Sequence, residues 1–239
     1  FFAIDSAIKP VETSREGVFI CGSAAGPQII PDCVAQASAA AAKAAVFLCH
    51  EKAKQHPAIA CLDPEHCTKC GICSRVCPYH AINWNKGEVA TMVEAMCAGC
   101  GTCGASCKFD AITMRHFTDE QLMAQVRGML SDRPEDKVCV FACNWCSYAG
   151  ADTAGVSRIQ HQPHFRMIRV MCSGRVQPAW VLRAFEKGAD GVLVSGCHFG
   201  DCHYIFGNER AVEQFEKTMN IVKVLGIDEG RLRLEWISA

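Results

Sequence analysis

Eight cysteines fall in two runs of identical spacing, Cys67-x-x-Cys70-x-x-Cys73-x-x-x-Cys77 and Cys97-x-x-Cys100-x-x-Cys103-x-x-x-Cys107, thirty residues apart. Three thiolates separated by two residues each can wrap three corners of one 4Fe-4S cube in a tight loop. The fourth, three residues later, cannot bend back to the same cube and ligates the other cluster. This assigns Cys67, Cys70, Cys73 and Cys107 to one cubane and Cys97, Cys100, Cys103 and Cys77 to the second. Structural zinc also uses Cys-x-x-Cys, but it takes four ligands, usually as two pairs. A third cysteine at the next two-residue step, twice over, is the spacing of clusters, so the chemistry is electron transfer.

Five further thiols, Cys143, Cys146, Cys172, Cys197 and Cys202, follow three strand-like runs: Lys137 to Ala142, Met167 to Met171 and Gly191 to Ser195. The carboxyl edge of a parallel sheet is where such folds bind ligands, so these thiols converge on one crevice although they are far apart in sequence. Four suffice for one more metal centre, leaving one spare. Buried cysteines that merely pack would not be placed at successive strand ends. Cys143-Asn144-Trp145-Cys146 is a competitor as a thiol-disulfide redox pair, but no Trp precedes its first cysteine and three thiols would then lack a purpose. His198 and His203 each adjoin a cysteine and are expected to serve the crevice by hydrogen bonds. Cys21, Cys33, Cys49, Cys61 and Cys139 are read as packing residues.

The elements that must position these sulfurs are visible too. After each cysteine run Tyr79-His80-Ala81-Ile82 matches Phe109-Asp110-Ala111-Ile112, which indicates two copies of one unit packed about a pseudo-twofold axis. Ile82 and Ile112 are expected to begin short strands that, with Val76, Val89 and Met92, shield the clusters. Thr118 and Gln121 form a helix-start pair for Asp119 to Leu130. The three strands above, a fourth at Arg231 to Ile237, and helices at Val176 to Lys187 and Glu209 to Leu225 alternate as in a parallel α/β sheet.

At 239 residues with 18 cysteines, the chain divides into 1–57, 58–117 and 118–239. The clustering of the cysteines favours metal in a reducing compartment over disulfides, and with no signal-peptide pattern the expected location is cytoplasmic. The stretch from Ala35 to Leu48 is too short and too interrupted to span a bilayer. With 24 basic and 25 acidic residues, nothing marks a nucleic-acid binder; a protein partner is expected. In 1–57, Val18 to Cys21 reads as a short buried strand and Pro31-Asp32 as a helix start. The amides of that helix N-terminus favour an anionic or electron-rich group such as a flavin edge or phosphate. The chain opens at Phe1 without a methionine, and this first element reads as the end of something larger.

Resemblance sharpens each segment. The segment 58–117 follows the bacterial two-cluster ferredoxin pattern, with Pro78 after Cys77 but Lys108 in place of the second proline. Gly17-Val18-Phe19 leading to Gly22, then Gly26-Pro27-Gln28-Ile29-Ile30-Pro31-Asp32 and Val34-Ala35-Gln36-Ala37, resembles the flavin-contacting end of thioredoxin-reductase-like flavoproteins, and more narrowly the A-type subunit of heterodisulfide reductase. That resemblance puts flavin contacts at Gly22, Ser23, Ile30, Pro31, Asp32 and Gln36. Ser23 stands where thioredoxin reductases usually carry aspartate and the Gly-x-Gly-x-x-Gly loop is absent, so FAD needs a further part of the domain. The stretch from Cys143 through Arg169-Val-Met-Cys172-Ser-Gly-Arg175 to Cys197-His and Gly200-Asp-Cys202-His-Tyr204 is similar to the delta subunit of methyl-viologen-reducing hydrogenase. That family carries a 2Fe-2S cluster and passes electrons between a hydrogenase or formate dehydrogenase and heterodisulfide reductase.

The fold expected is α+β and α/β: the tail of an FAD domain, a two-cluster ferredoxin domain and a parallel α/β iron-sulfur domain. The resemblances imply an electron relay from a hydrogenase or formate dehydrogenase through one 2Fe-2S and two 4Fe-4S clusters to FAD, with flavin-based bifurcation in methanogenic metabolism. They imply as partners heterodisulfide reductase B and C-like subunits, ferredoxin and the rest of the FAD domain. No catalytic acid, base or nucleophile stands out. The alternatives are a flavin and iron-sulfur component of another bacterial oxidoreductase complex, quinone-interacting ones included, or a thiol redox or zinc module.

Overall fold

The computed structural model describes residues 3–5, 9–13, 17–49 and 58–237. Two compact units are present, Phe1–Gln55 and His56–Ala239; the ferredoxin-like and α/β segments of the sequence thus share one unit. Among the described residues no helix is long and apolar enough to cross a membrane.

In the first unit, β1 (Ala3–Asp5) pairs antiparallel with β2 (Lys9–Thr13). The expected strand at Val18–Cys21 is absent: this segment makes a single antiparallel bridge, Phe19 to Glu12, and a 2.9 Å bond from the Ile20 N–H to the Val11 carbonyl. Left-handed glycines at both ends, Gly17 (φ 81°) and Gly22 (φ 59°), bend the chain away before a ladder can extend. Helix α1 (Ile30–Leu48) starts with Pro31 in its first turn, where the missing N–H is no loss. Lys43 on α1 reaches Glu12 on β2 at 2.6 Å and holds the Glu12 carboxyl below its usual range.

The cysteine runs lie among very short elements: β3 (Ala60–Leu62), α2 (Ile72–Val76), β4 (Ile82–Asn83), β5 (Thr91–Met92), α3 (Thr102–Ala105) and β6 (Ile112–Met114). β3 pairs antiparallel with β6, Ala60 opposite Met114, and β4 with β5, Ile82 opposite Met92. The repeat is carried in the backbone. Lys69 and Gly99 (φ 62° and 80°), Gly71 and Gly101 (71° and 78°), and His80 and Asp110 (51° and 52°) are left-handed at matching positions. Ala60, Cys73, Ile82, Ala90, Cys103, Ile112 and Met114 form a small buried core.

Helix α4 (Asp119–Met129) opens with a reciprocal cap: Thr118 Oγ1 accepts from the Gln121 N–H and Gln121 Oε1 from the Thr118 N–H, both at 3.1 Å. There follow β7 (Val138–Cys143), α5 (Ser147–Val156), β8 (Phe165–Val170), α6 (Pro178–Glu186), β9 (Gly191–Gly196), α7 (Gly207–Val224) and β10 (Leu232–Trp236). The sheet is parallel with order β10-β9-β7-β8. β7 is buried along nearly its whole length, as a central strand covered on both faces should be. Phe141, Ile168, Val170, Val192 and Leu232 of the sheet pack with Leu122 and Val126 of α4, Trp180 and Ala184 of α6 and Val222 of α7. The connection after β7 runs outward to β8 and the one after β8 crosses back past β7 to β9; the direction reverses beside β7, which is where such sheets open a crevice at their carboxyl edge.

Candidate metal centres

Two cavities sort the eight cysteines of the runs into quartets. One, with about 340 Å³ of empty space, is lined by Cys67, Cys70, Cys73 and Cys107 with Leu62, Ala90 and Ile112. The other, about 310 Å³, is lined by Cys77, Cys97, Cys100 and Cys103 with Val76, Ile82 and Met92. In each, three thiols come from one run and the fourth from the other, so the chain must cross between repeats to complete either set. Among the described residues no three His, Cys, Asp or Glu side chains gather as around a single metal ion. Each quartet instead surrounds a space with largely apolar walls, which suits a multi-atom inorganic core.

Hydrogen bonds to sulfur are already in place. The Ala60 N–H donates to Cys97 Sγ at 3.5 Å, and Cys100 accepts from the backbone and side chain of Thr102. Such donors stabilise the thiolate and a more reduced centre. Burial acts the opposite way on the free thiols: it raises Cys73, Cys100 and, most strongly, Cys103, whose thiol the Arg175 charge pulls back down.

The five C-terminal thiols meet at the carboxyl ends of β7, β8 and β9. Cys143 Sγ and Cys197 Sγ are 3.7 Å apart, about the separation of two thiolates on one tetrahedral metal with bonds of about 2.3 Å. Cys146 and Cys202 also act on the Cys197 thiol, and Cys202 on that of Cys172, as close neighbours. The shared protons divide the set. Cys143 is lowered to about 7 by its bond to Cys197 and by backbone N–H groups of Trp145, Cys146 and Ser173. Cys202 is lowered by Cys172 and Cys197, whereas Cys197 and Cys172 are raised by those same contacts and by burial. All five belong to one network, and the geometry does not single out a spare.

Three residues outside the cysteine pattern also build this site. A β-carbon on Gly207, at the start of α7, would stand 2.1 Å from Cys172 Sγ and 3.1 Å from Cys202 Sγ. Asn208, buried, donates to the carbonyls of Cys197 at 3.3 Å and His198 at 2.8 Å and holds their loop. Arg175, 3 % exposed, lies between this site and the run around Cys100 and Cys103. A glycine and asparagine opening a helix soon after a cysteine are a visible signal for the first two; nothing local marks the third. His203 stacks on Trp145 at 3.5 Å, and His198 is exposed. Of the cysteines read as packing residues, Cys139 is buried in the sheet core, but Cys49 is exposed. That is a correction: Cys49 caps the end of α1, whose residues are nowhere buried.

The residues expected at a flavin lie in the first unit. The Gly22 N–H donates to Gln36 Oε1 at 2.8 Å, so Gln36 fixes the glycine turn against α1. Ser23 is exposed, and Ile30, Pro31 and Asp32 form the exposed first turn of α1. Gly22 and Gln36 are thus joined directly, and Ile30, Pro31 and Asp32 stand at the start of the same helix that carries Gln36.

Residues 138–239 match the family "Methyl-viologen-reducing hydrogenase, delta subunit", and residues 66–111 match the "4Fe-4S dicluster domain". Over 240 aligned residues the chain is 45% identical to the A-type subunit of ferredoxin:CoB-CoM heterodisulfide reductase from Methanosarcina mazei, covering 100% of this chain and 30% of that protein. It is 50% identical over 110 residues to the D-type iron-sulfur subunit of the F420-non-reducing hydrogenase vhc from Methanococcus voltae, covering 46% of this chain and 76% of that one. With the A-type subunit of H(2):CoB-CoM heterodisulfide,ferredoxin reductase from Methanothermobacter thermautotrophicus it shares 45% identity over 126 residues, 53% of this chain and 19% of that protein. The chain therefore spans about 30% of the length of the curated relative that it matches throughout. These relatives are components of oxidoreductases, and electron transfer through iron-sulfur centres is what the matched regions share. The chain belongs to the family of heterodisulfide reductase A-type subunits, joining a 4Fe-4S dicluster domain to a methyl-viologen-reducing hydrogenase delta-subunit domain in one polypeptide.

Proposed function

We propose that this chain is the electron-relaying part of a heterodisulfide reductase complex. Cys67, Cys70, Cys73 and Cys107 hold one 4Fe-4S cluster, Cys77, Cys97, Cys100 and Cys103 a second, and four of Cys143, Cys146, Cys172, Cys197 and Cys202 a 2Fe-2S cluster. Clusters so held accept and release single electrons. The relay runs between a hydrogenase or formate dehydrogenase and an FAD, to which Gly22, Ser23, Ile30, Pro31, Asp32 and Gln36 contribute and a further part of the domain contributes the rest. There, electron pairs are divided between a heterodisulfide and ferredoxin, the two acceptors in the name of the Methanothermobacter thermautotrophicus relative. The B and C-like subunits are its partners, in the cytoplasm of a methanogen.

One observation carries this reading: Cys100 of the second quartet and Cys172 of the crevice share a buried apolar cluster with Ala58, Met171 and Tyr204. This supports a short path between the two kinds of centre, because the residues that would hold them pack against one another within one folded unit. The test is Cys100→Ala in the complete complex. Iron and sulfide analysis should fall from about ten irons per chain to about six, with the 2Fe-2S signal kept in paramagnetic resonance and flavin reduction by the donor lost. Electron flow that survives would break the relay order.

A second reading rests on the 3.7 Å approach of Cys143 to Cys197, a dithiol that could cycle without metal. A full set of titratable thiols in this crevice, with neither iron nor zinc bound there, would favour it.

A further inference from the structure

The two repeats of the dicluster region share a backbone but not a cover. Gly71 and Gly101 each follow the second cysteine of their run and open a short helix in the left-handed conformation. A β-carbon on Gly71 would stand 2.5 Å from the Trp84 indole. That ring belongs to the same repeat, is neutral, and donates from Nε1 to the Lys69 carbonyl at 3.0 Å. A β-carbon on Gly101 would instead stand 2.4 Å from Arg175 Cδ and 3.1 Å from its Nε, and one on Gly104 would stand 3.1 Å from Arg175 Nη1. This second cover is a guanidinium, delivered from the turn after Cys172.

Its surroundings are lopsided. Nη2 pairs with Asp119, whose carboxylate also accepts from Gln177 Nε2 at 2.6 Å and Trp180 Nε1 at 3.3 Å. The guanidinium carbon lies 4.8 Å from the centre of the Trp180 ring. Nε and Nη1, on the side of Gly101 and Gly104, are buried and have no hydrogen-bond partner among the described residues. Leaving charged donors buried and unmatched is costly, and arginine cannot escape by releasing its proton. An acceptor on that side would resolve it, and the side faces the turn that carries Cys100 and Cys103.

We propose that Arg175 is a positioning residue that sets the two 4Fe-4S centres at different potentials, its Nε and Nη1 donating toward the sulfur of the centre held by Cys77, Cys97, Cys100 and Cys103. The inference rests on the reading that both quartets hold 4Fe-4S clusters. A reduced cluster carries one more negative charge, so a fixed buried cation beside one cube and a neutral indole beside the other favour the electron on the first. Because the pair is buried, added salt screens the difference little. The electron thus rests on the cube next to the 2Fe-2S crevice, and Asp119 tempers the bias from the far end of the guanidinium.

Potentiometric titration of the full chain, followed by paramagnetic resonance, tests this; Cys100→Ala identifies which wave belongs to which cube. Arg175→Gln should lower the reduced-to-oxidised ratio of the adjacent cube at least tenfold at fixed ambient potential, a shift of about 59 mV for a one-electron couple, and leave the other wave in place. Asp119→Asn should move the same wave the opposite way, and it decides the matter if Arg175→Gln does not fold. Arg175→Lys, which keeps charge but loses the fork, should fall between wild type and Arg175→Gln. Unmoved waves, or equal movement of both, overturn the role given to Arg175. Absence of either cube signal from the wild type overturns the cluster reading instead.

Discussion

Gly207 has only hydrogen where a β-carbon would overlap the Cys172 sulfur at 2.1 Å, far inside van der Waals contact. Gly207→Ala must therefore push α7 off the crevice or displace a ligand. The expected result is loss of about two irons per chain and of the 2Fe-2S resonance, while both 4Fe-4S signals persist; a full iron complement would show that the backbone yields. The contrast with the cysteines explains what could be seen in the chain alone. Eight thiols within two short runs declare themselves because their constraint is local spacing. Gly207 and Arg175 are constrained by neighbours far along the chain, Cys172 for the first, Gly101 and Asp119 for the second; the Gly207-Asn208 pair after Cys202 marks only the helix start, and nothing local marks Arg175.

Among the elements, α4 was legible to the residue at its start and to within one residue at its end, Met129 rather than Leu130. Thr118 and Gln121 form the reciprocal cap that their spacing foretells, and Thr118→Ala should lower stability by about 1 kcal/mol. Chemical denaturation with an unchanged iron content would register it; no change in midpoint would mean that the cap is redundant with the packing of Leu122 and Val126. The parallel strands were legible too, because β7 to β10 read as apolar runs within a residue or two of their observed ends. Helix α5 was not. Its sequence, Ser-Tyr-Ala-Gly-Ala-Asp-Thr-Ala-Gly-Val, has two glycines and no apolar stripe, and of its residues only Ser147 is buried, so tertiary context rather than pattern makes it helical. The strand expected at Val18–Cys21 failed for the converse reason: an apolar run needs a partner along its length, and here a single bridge is all that the glycine turns allow.

For the molecule as a whole, stability is unevenly shared. The sheet region has a large core built on Phe141, Ile168 and Trp180. The cysteine-run region has strands of two or three residues and a small core that includes its own ligands, so metal ligation must supply much of its folding free energy. Chelation under reducing conditions should open 58–117 to proteolysis while the sheet persists; equal resistance of both would refute this. Rebuilding the clusters should release protons. Burial holds Cys73, Cys100 and Cys103 above their ordinary value, and the neighbouring Cys202 together with burial does so for Cys172, so these thiols are protonated at neutral pH and must be deprotonated to bind iron. The iron occupancy reached at fixed free iron and sulfide should therefore decline as pH is lowered, measured by absorbance; occupancy independent of pH would contradict it.

The crossing of the chain between the two cysteine cavities bears on biogenesis. On a ribosome, a nascent polypeptide that has exposed only Cys67 to Cys77 offers three sulfurs of one cavity and a single sulfur of the other. Neither set is complete until the second run has emerged, the first set not before its last member, Cys107. On the proposed assignment, insertion of inorganic cargo is thereby deferred until translation reaches Cys103 for one cube and Cys107 for the other, and a product truncated before Cys103 cannot retain either cube fully ligated.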